Sequence, residues 1–89
     1  MYNKKYVLEK IIEFNEHNPI YDGMQGCVCY LAYLKVGQRG WFLCEQENWF
    51  DSPHRICTSV IQKVKYAYRN RIIVTTQNTK FTFVAVKDC

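Results

Sequence analysis

The feature that most constrains this chain lies in its last third, where two alternating runs are separated by only two residues. Arg71–Thr76 is followed by Gln77-Asn78 and then by residues 79–86. With Gln77-Asn78 as a two-residue loop, Thr76 pairs with Thr79, Val74 with Phe81, and Ile72 with Phe83. Directly opposed residues of an antiparallel pair share a sheet face. One face then carries Ile72, Val74, Phe81 and Phe83. The other carries Arg71, Ile73, Thr75, Lys80, Thr82 and Val84. A one-residue slip would mix the two sets, so the pattern specifies its own register. Asn78 is the expected residue for the positive-φ position of such a turn.

The preceding run, from Ile56 through Thr58, Val60, Gln62 and Val64 to Tyr66, supplies a third strand. A two-residue turn at Arg69-Asn70 would set Lys65 and Ala67 beside Val74 and Ile72, a poor match. A three-residue loop, Tyr68-Arg69-Asn70, sets Tyr66 opposite Ile72 and Val64 opposite Val74. Asn70 then takes the left-handed site of a bulged loop. The expected core stripe of this meander is Val64, Tyr66, Ile72, Val74, Phe81 and Phe83.

The rest of the chain is read around that meander. Residues 4–16 place Val7, Leu8, Ile11 and Phe14 at helical spacing, with Lys5, Glu9, Lys10, Glu13 and Glu16 facing water and Asn3 as N-cap. An amphipathic helix is expected there, stopped by Asn15, Asn18 and Pro19. Asp22-Gly23 marks a turn. Residues 27–36 fit both a helical stripe (Met24, Cys27, Val28, Leu31, Leu34) and a strand alternation (Val28, Tyr30, Ala32, Leu34). Gly26 and the tyrosines favour the strand. Gly37-Gln38-Arg39-Gly40 is a turn and residues 41–44 a strand. Residues 45–54 form the longest loop. The expected fold is α+β in one domain, 1–89: an N-terminal helix packed on a five-stranded antiparallel sheet (27–86) that curls toward a small barrel.

Composition narrows the function classes. A chain of 89 residues buries only roughly 60–65% of its unfolded surface, so its core is small. Its hydrophobic share of 48% and aromatic share of 16% suit a folded domain. No apolar run is long enough to span a membrane. Glu9 and Glu13 inside the N-terminal pattern argue against a signal peptide. Five cysteines without such a signal point to a reducing cytoplasm, with thiols buried or holding metal. A net charge of +4 permits contact with nucleic acid without requiring it.

Three groups of residues are candidates for chemistry. Cys27 and Cys29, at i,i+2 on a strand, have Cα atoms about 6.6–7 Å apart, near the upper limit for a disulfide. Two thiolates around a zinc at about 2.3 Å are easier to reach. Cys44, His54 and Cys57 would complete such a site, with His17 and Cys89 as further options, although the spacing matches no paired C-x-x-C signature. The competing reading is that these cysteines are small core hydrophobes. A thiol nucleophile at Cys57 with His54 and Asp51 lacks any recognisable nucleophile turn, and no catalytic residue is assigned.

The second group is a basic face: Lys63, Lys65, Arg71 and Lys80 opposite the core stripe, with Arg69 and Tyr68 in the adjoining turn. Such a face can hold a phosphate backbone and stack bases, or it can simply be solvated. The third group is Trp49 and Phe50 among Glu45, Glu47 and Asp51. Adjacent large aromatics in a polar loop suit a protein contact, or a lid folded on the core.

The stretches LKVGQRGWF (34–42), HRICTSVIQKV (54–64) and RIIVTTQNTKFTF (71–83) together resemble small SH3-like β-barrel proteins of phages and mobile elements of low-GC gram-positive bacteria. Orphan chains of that kind include type II anti-CRISPR proteins, which inhibit Cas9 and some of which bind zinc. The resemblance leaves the N-terminal helix outside it and fixes no zinc ligand. It implies a barrel and a non-enzymatic inhibitor that binds a host protein, Cas9 or its guide-RNA complex, through the Trp49/Phe50 loop and the basic face. The alternative is a small nucleic-acid-binding regulator using Lys63, Lys65, Arg69 and Arg71.

Overall fold

A computed structural model describes residues 5–21, 23–45 and 54–86. Among the described residues there are six strands, β1 (Tyr6–Glu13), β2 (Val28–Tyr33), β3 (Arg39–Glu45), β4 (His54–Ala67), β5 (Arg71–Thr76) and β6 (Thr79–Ala85), with one 3-10 turn at Pro19–Tyr21. Each strand pairs antiparallel with its sequence neighbour, and β1 also pairs with β6, so the sheet closes into a barrel. No helix of the described residues is long and apolar enough to cross a membrane.

The expected N-terminal helix is therefore wrong, and with it the α+β class. Residues 6–13 are a strand, and the architecture is nearly all β. The physical reason is a β-bulge. Leu8 pairs with Phe83 and Lys10 with Thr82, so Glu9 is an extra residue against β6. A bulge adds one residue to one strand of a pair. Along β1 the core-facing residues thus run Tyr6, Leu8, Ile11. The step of three from Leu8 to Ile11 is what a helix would show. Phe14, the end of the supposed stripe, is half exposed. Pairing β1 with both β6 and β2 also covers two sheet edges that would otherwise present unpaired backbone groups.

The meander has the register expected for it. Val64 pairs with Val74 and Tyr66 with Ile72; Ile72 pairs with Phe83 and Val74 with Phe81. Arg69 and Asn70 both hold left-handed backbone, at φ 61° and 59°. Two details differ. Asn78 has no positive φ. The turn is instead held by the buried Thr76 hydroxyl, which accepts from the Asn78 and Thr79 amides at 3.3 and 3.0 Å and donates to the Thr79 carbonyl oxygen at 3.1 Å. Tyr66 is not core: it is 77% exposed. β4 has left β3 by this point and keeps only β5 as a partner, so its last turn before the loop overhangs the barrel end.

The interior is filled by Leu8, Met24, Phe42, Ile56, Ile61, Val74, Phe81 and Phe83. Three phenylalanines form its centre. Phe42 meets Phe81 and Phe83 edge-on, with ring centroids 5.5 and 5.2 Å apart, and Tyr21 closes the cluster edge-on against Phe81 at 5.5 Å. Each such contact contributes about 0.5–1.5 kcal/mol beyond area burial. Gly40 sits where β3 crosses the core: a Cβ there would lie 2.5 Å from the Tyr33 carbonyl oxygen and 2.6 Å from the Ile61 Cδ1.

Candidate functional site

The thiols separate into an inner and an outer set. Cys29 and Cys44 are Cα partners across β2 and β3, and both are buried. Cys27, just before β2, is half-buried and donates to the Gly23 carbonyl oxygen at 3.2 Å. The hydrogen bond with Cys44, and then burial, push the Cys29 pKa far up. The same bond lowers that of Cys44, against the effect of burial. The Cys29 thiol donates to the Cys27 carbonyl oxygen at 3.7 Å. Cys57 is the Cα partner of Trp41 and is exposed. His54 is the Cα partner of Cys44. Among the described residues, no group of three or more His, Cys, Asp or Glu is placed to hold a metal. Cys89 lies outside the described residues, as does Asp51 of the Cys57–His54–Asp51 grouping.

The basic face is partly spent. Arg71 makes a two-pronged contact with the Glu9 carboxylate, Nε at 2.9 Å and a terminal nitrogen at 2.7 Å. Glu9 is the bulged residue of β1, so the irregularity that disguises the strand also aims this carboxylate across β6 at Arg71. The pair lowers the Glu9 pKa and raises that of Arg71, mainly through the hydrogen bonds. Arg71 therefore belongs to a structural ion pair. Lys80 is half-buried on β6. Lys63, Lys65 and Arg69 are exposed, and among the described residues none of them pairs with a carboxylate. Beside them stand Tyr66 and Tyr68, the latter 92% exposed.

Sequence patterning leaves two further features unannounced. The outer surface of β2 and β3 carries Tyr30, Tyr33, Trp41 and Leu43. The Arg55 guanidinium lies over the Trp41 ring, 4.5 Å from its centroid. The cross-strand pairing of Leu43 with Arg55 and of Trp41 with Cys57 sets this cluster. The alternation of residues 41–44 is visible in the sequence, but nothing local shows which face points out. At one end of the barrel there is a polar crevice of about 460 Å³, lined among others by Glu13, His17, Tyr21, Ser59 and Asn78. Glu13 accepts from the Asn18 amide at 2.6 Å and meets His17 Nδ1 at 2.7 Å. Asn78 bridges Asn15 and Ser59 at 3.2 and 2.7 Å. These groups satisfy one another and tie the chain end of β1 to the β5–β6 turn. Of the aromatic loop, only Glu45 is described. It ends β3 and accepts from the Tyr30 hydroxyl at 3.2 Å; Glu47, Trp49, Phe50 and Asp51 lie outside the described residues.

Comparison with protein-family models, with curated proteins and with solved structures finds no match.

Proposed function

We propose that the chain is a small nucleic-acid-binding protein whose contact surface is the β4–β5 hairpin. The observation that carries this is the company Tyr66 and Tyr68 keep. Tyr66 and Tyr68 are 77% and 92% exposed, on the same hairpin as three exposed cations, Lys63, Lys65 and Arg69, that pair with no carboxylate among the described residues. Cations hold the phosphate backbone, and aromatic rings stack bases without regard to sequence. Lys63 and Lys65 take the outer face of the hairpin and Tyr66 the face of Ile72, so a nucleic-acid strand that follows the cations reaches Tyr66 by wrapping around the end that overhangs the barrel. Fluorescence anisotropy with a labelled single-stranded oligonucleotide tests this. Replacing Lys63, Lys65 and Arg69 by Glu should abolish binding. Replacing them by Gln should weaken it and flatten the log–log salt dependence by about 2, at roughly 0.7 for each phosphate of a single strand that is no longer neutralised. Equal binding by the variants would end the proposal.

A second reading is a non-enzymatic inhibitor that binds a host protein, with Cas9 as the partner the resemblance names. The outward Trp41–Leu43–Tyr33 cluster favours it, since aromatic residues are enriched in the centres of protein interfaces. Co-purification with Cas9 and loss of its DNA cleavage at equimolar protein would support it. No retention and unaltered cleavage would dismiss it.

A further inference from the structure

We infer that the nucleic-acid path does not end at the hairpin but runs along the outer face of β4 to a second stacking station at Trp41, roofed by Arg55. This rests on the hairpin reading and extends it to a binding track with a definite length and composition.

The first argument is register. β4 is 14 residues long and carries two irregularities. Against β3, three steps on β4 from Cys57 to Val60 match two on β3 from Trp41 to Arg39. Against β5, Ile61 pairs with Thr76 and Lys63 with Thr75, two steps against one. Each irregularity inverts the alternation, and two of them restore it. Ile56, Thr58 and Ile61 are buried, whereas Arg55, Cys57, Lys63 and Lys65 are exposed on one outer row. Irregularities of this kind also bend and twist a strand, so the row wraps around the barrel instead of leaving it.

The second argument is charge. Arg55, Lys63 and Lys65 lie on this row and no acid does. Arg39, exposed and paired with Val60, stands between Arg55 and Lys63. Arg69 stands at the far end. Two acids of β1 are committed elsewhere, Glu9 to Arg71 and Glu13 to His17. The described acid at the Trp41 end, Glu45, accepts from Tyr30. A row of one sign closed by an aromatic at each end matches a polyanion that carries stackable bases. A guanidinium over an indole is itself such a stacking plane for a base. Ten residues of strand at about 3.3 Å each give a path of about 30 Å. That is on the order of five nucleotides of extended strand, at the lower end of the range for small barrels.

The test compares two oligothymidylates, one of four and one of ten nucleotides, with the whole protein. The variant is Arg39→Glu with Arg55→Glu, both exposed and outside the core. The short oligonucleotide needs only the hairpin, and the long one needs both stations. The wild type should bind the long strand more tightly, and the variant should lose about tenfold on it with little change on the short one. In a Trp49→Phe background, emission from Trp41 should be quenched by the long strand only. Unchanged affinity for the long strand, with Trp41 emission also unmoved, overturns the extended track while leaving the hairpin reading in place. Absence of binding to either oligonucleotide by the wild type removes both and leaves the Trp41 face to a protein partner.

Discussion

Replacing Gly40 by Ala should destabilise the barrel far more than its size suggests. Gly40 is buried in β3, and its amide donates to the buried Thr58 hydroxyl at 3.0 Å. An added Cβ would stand 2.5 Å from the Tyr33 carbonyl oxygen and 2.6 Å from the Ile61 Cδ1. The Ile61 methyl can swing away, but the Tyr33 oxygen is backbone of the neighbouring strand. Relief therefore requires β2 and β3 to part by several tenths of an ångström next to a β2–β3 irregularity. Overpacking of this kind costs about 1–3 kcal/mol. Straining the Gly40–Thr58 hydrogen bond adds about 1 kcal/mol. The sum is about 2–4 kcal/mol, which for a domain of this size lowers Tm by roughly 10–25 °C. Thermal melting by circular dichroism reads this directly. Gly37→Ala is the control: Gly37 has open space around it but a φ of 90°, so it should lose only about 1–2 kcal/mol to backbone strain. A Gly40→Ala protein melting within a few degrees of the wild type would show that β2 and β3 are not packed as described.

Phe81→Ala removes a fully buried ring that touches Tyr21, Phe42 and Phe83 and should cost about 3–5 kcal/mol by urea denaturation; a loss under about 1 kcal/mol would contradict a core centred there. The Glu9–Arg71 pair gives a pH signature. Glu9 titrates below its ordinary 4.5 in the folded chain, so the pair's contribution is present above that pH and lost as pH falls through the lower folded value. The stability gap between wild type and Glu9→Gln should thus be steady near neutrality, close as the pH falls below 4.5 and shrink in high salt; a gap that widens in acid would refute the pairing. In native protein a thiol reagent should modify exposed Cys57 well before buried Cys29 and Cys44. If Cys29 and Cys44 are core thiols and hold no metal, elemental analysis of the same sample finds no stoichiometric zinc; thiols all protected, with zinc bound, would overturn the core-thiol reading.

Where the chain is legible, local chemistry carries enough information. The β5–β6 and β4–β5 registers follow from strict alternation across loops of two and three residues, because such short connections leave few pairings that keep the apolar set together. β1 misleads because its bulge at Glu9 turns a period of two into a step of three. That step is set by pairing with β6, some seventy residues along the chain, and nothing nearby signals it. Alternation alone puts Tyr66 in the core, since it says which face a residue takes but not where the barrel ends. Lys63, Lys65 and Arg69 are legible as an outer basic group. Arg71 reads as one of them in sequence, and only the fold brings Glu9, 62 positions away, against it. The Trp41–Arg55 contact joins two strands across the long 45–54 loop, and a spacing of that size carries no pattern.

The most direct measurement is the map of backbone amide shifts when an isotope-labelled sample is titrated with the ten-nucleotide strand. The expected result is a continuous band of perturbed amides along residues 63–70, through β4 to Arg55 and Cys57, and across to Trp41, in fast or intermediate exchange and reversed by salt. Shifts confined to the crevice around Glu13, His17 and Asn78, or none at all at low salt, would contradict a nucleic-acid surface on this hairpin.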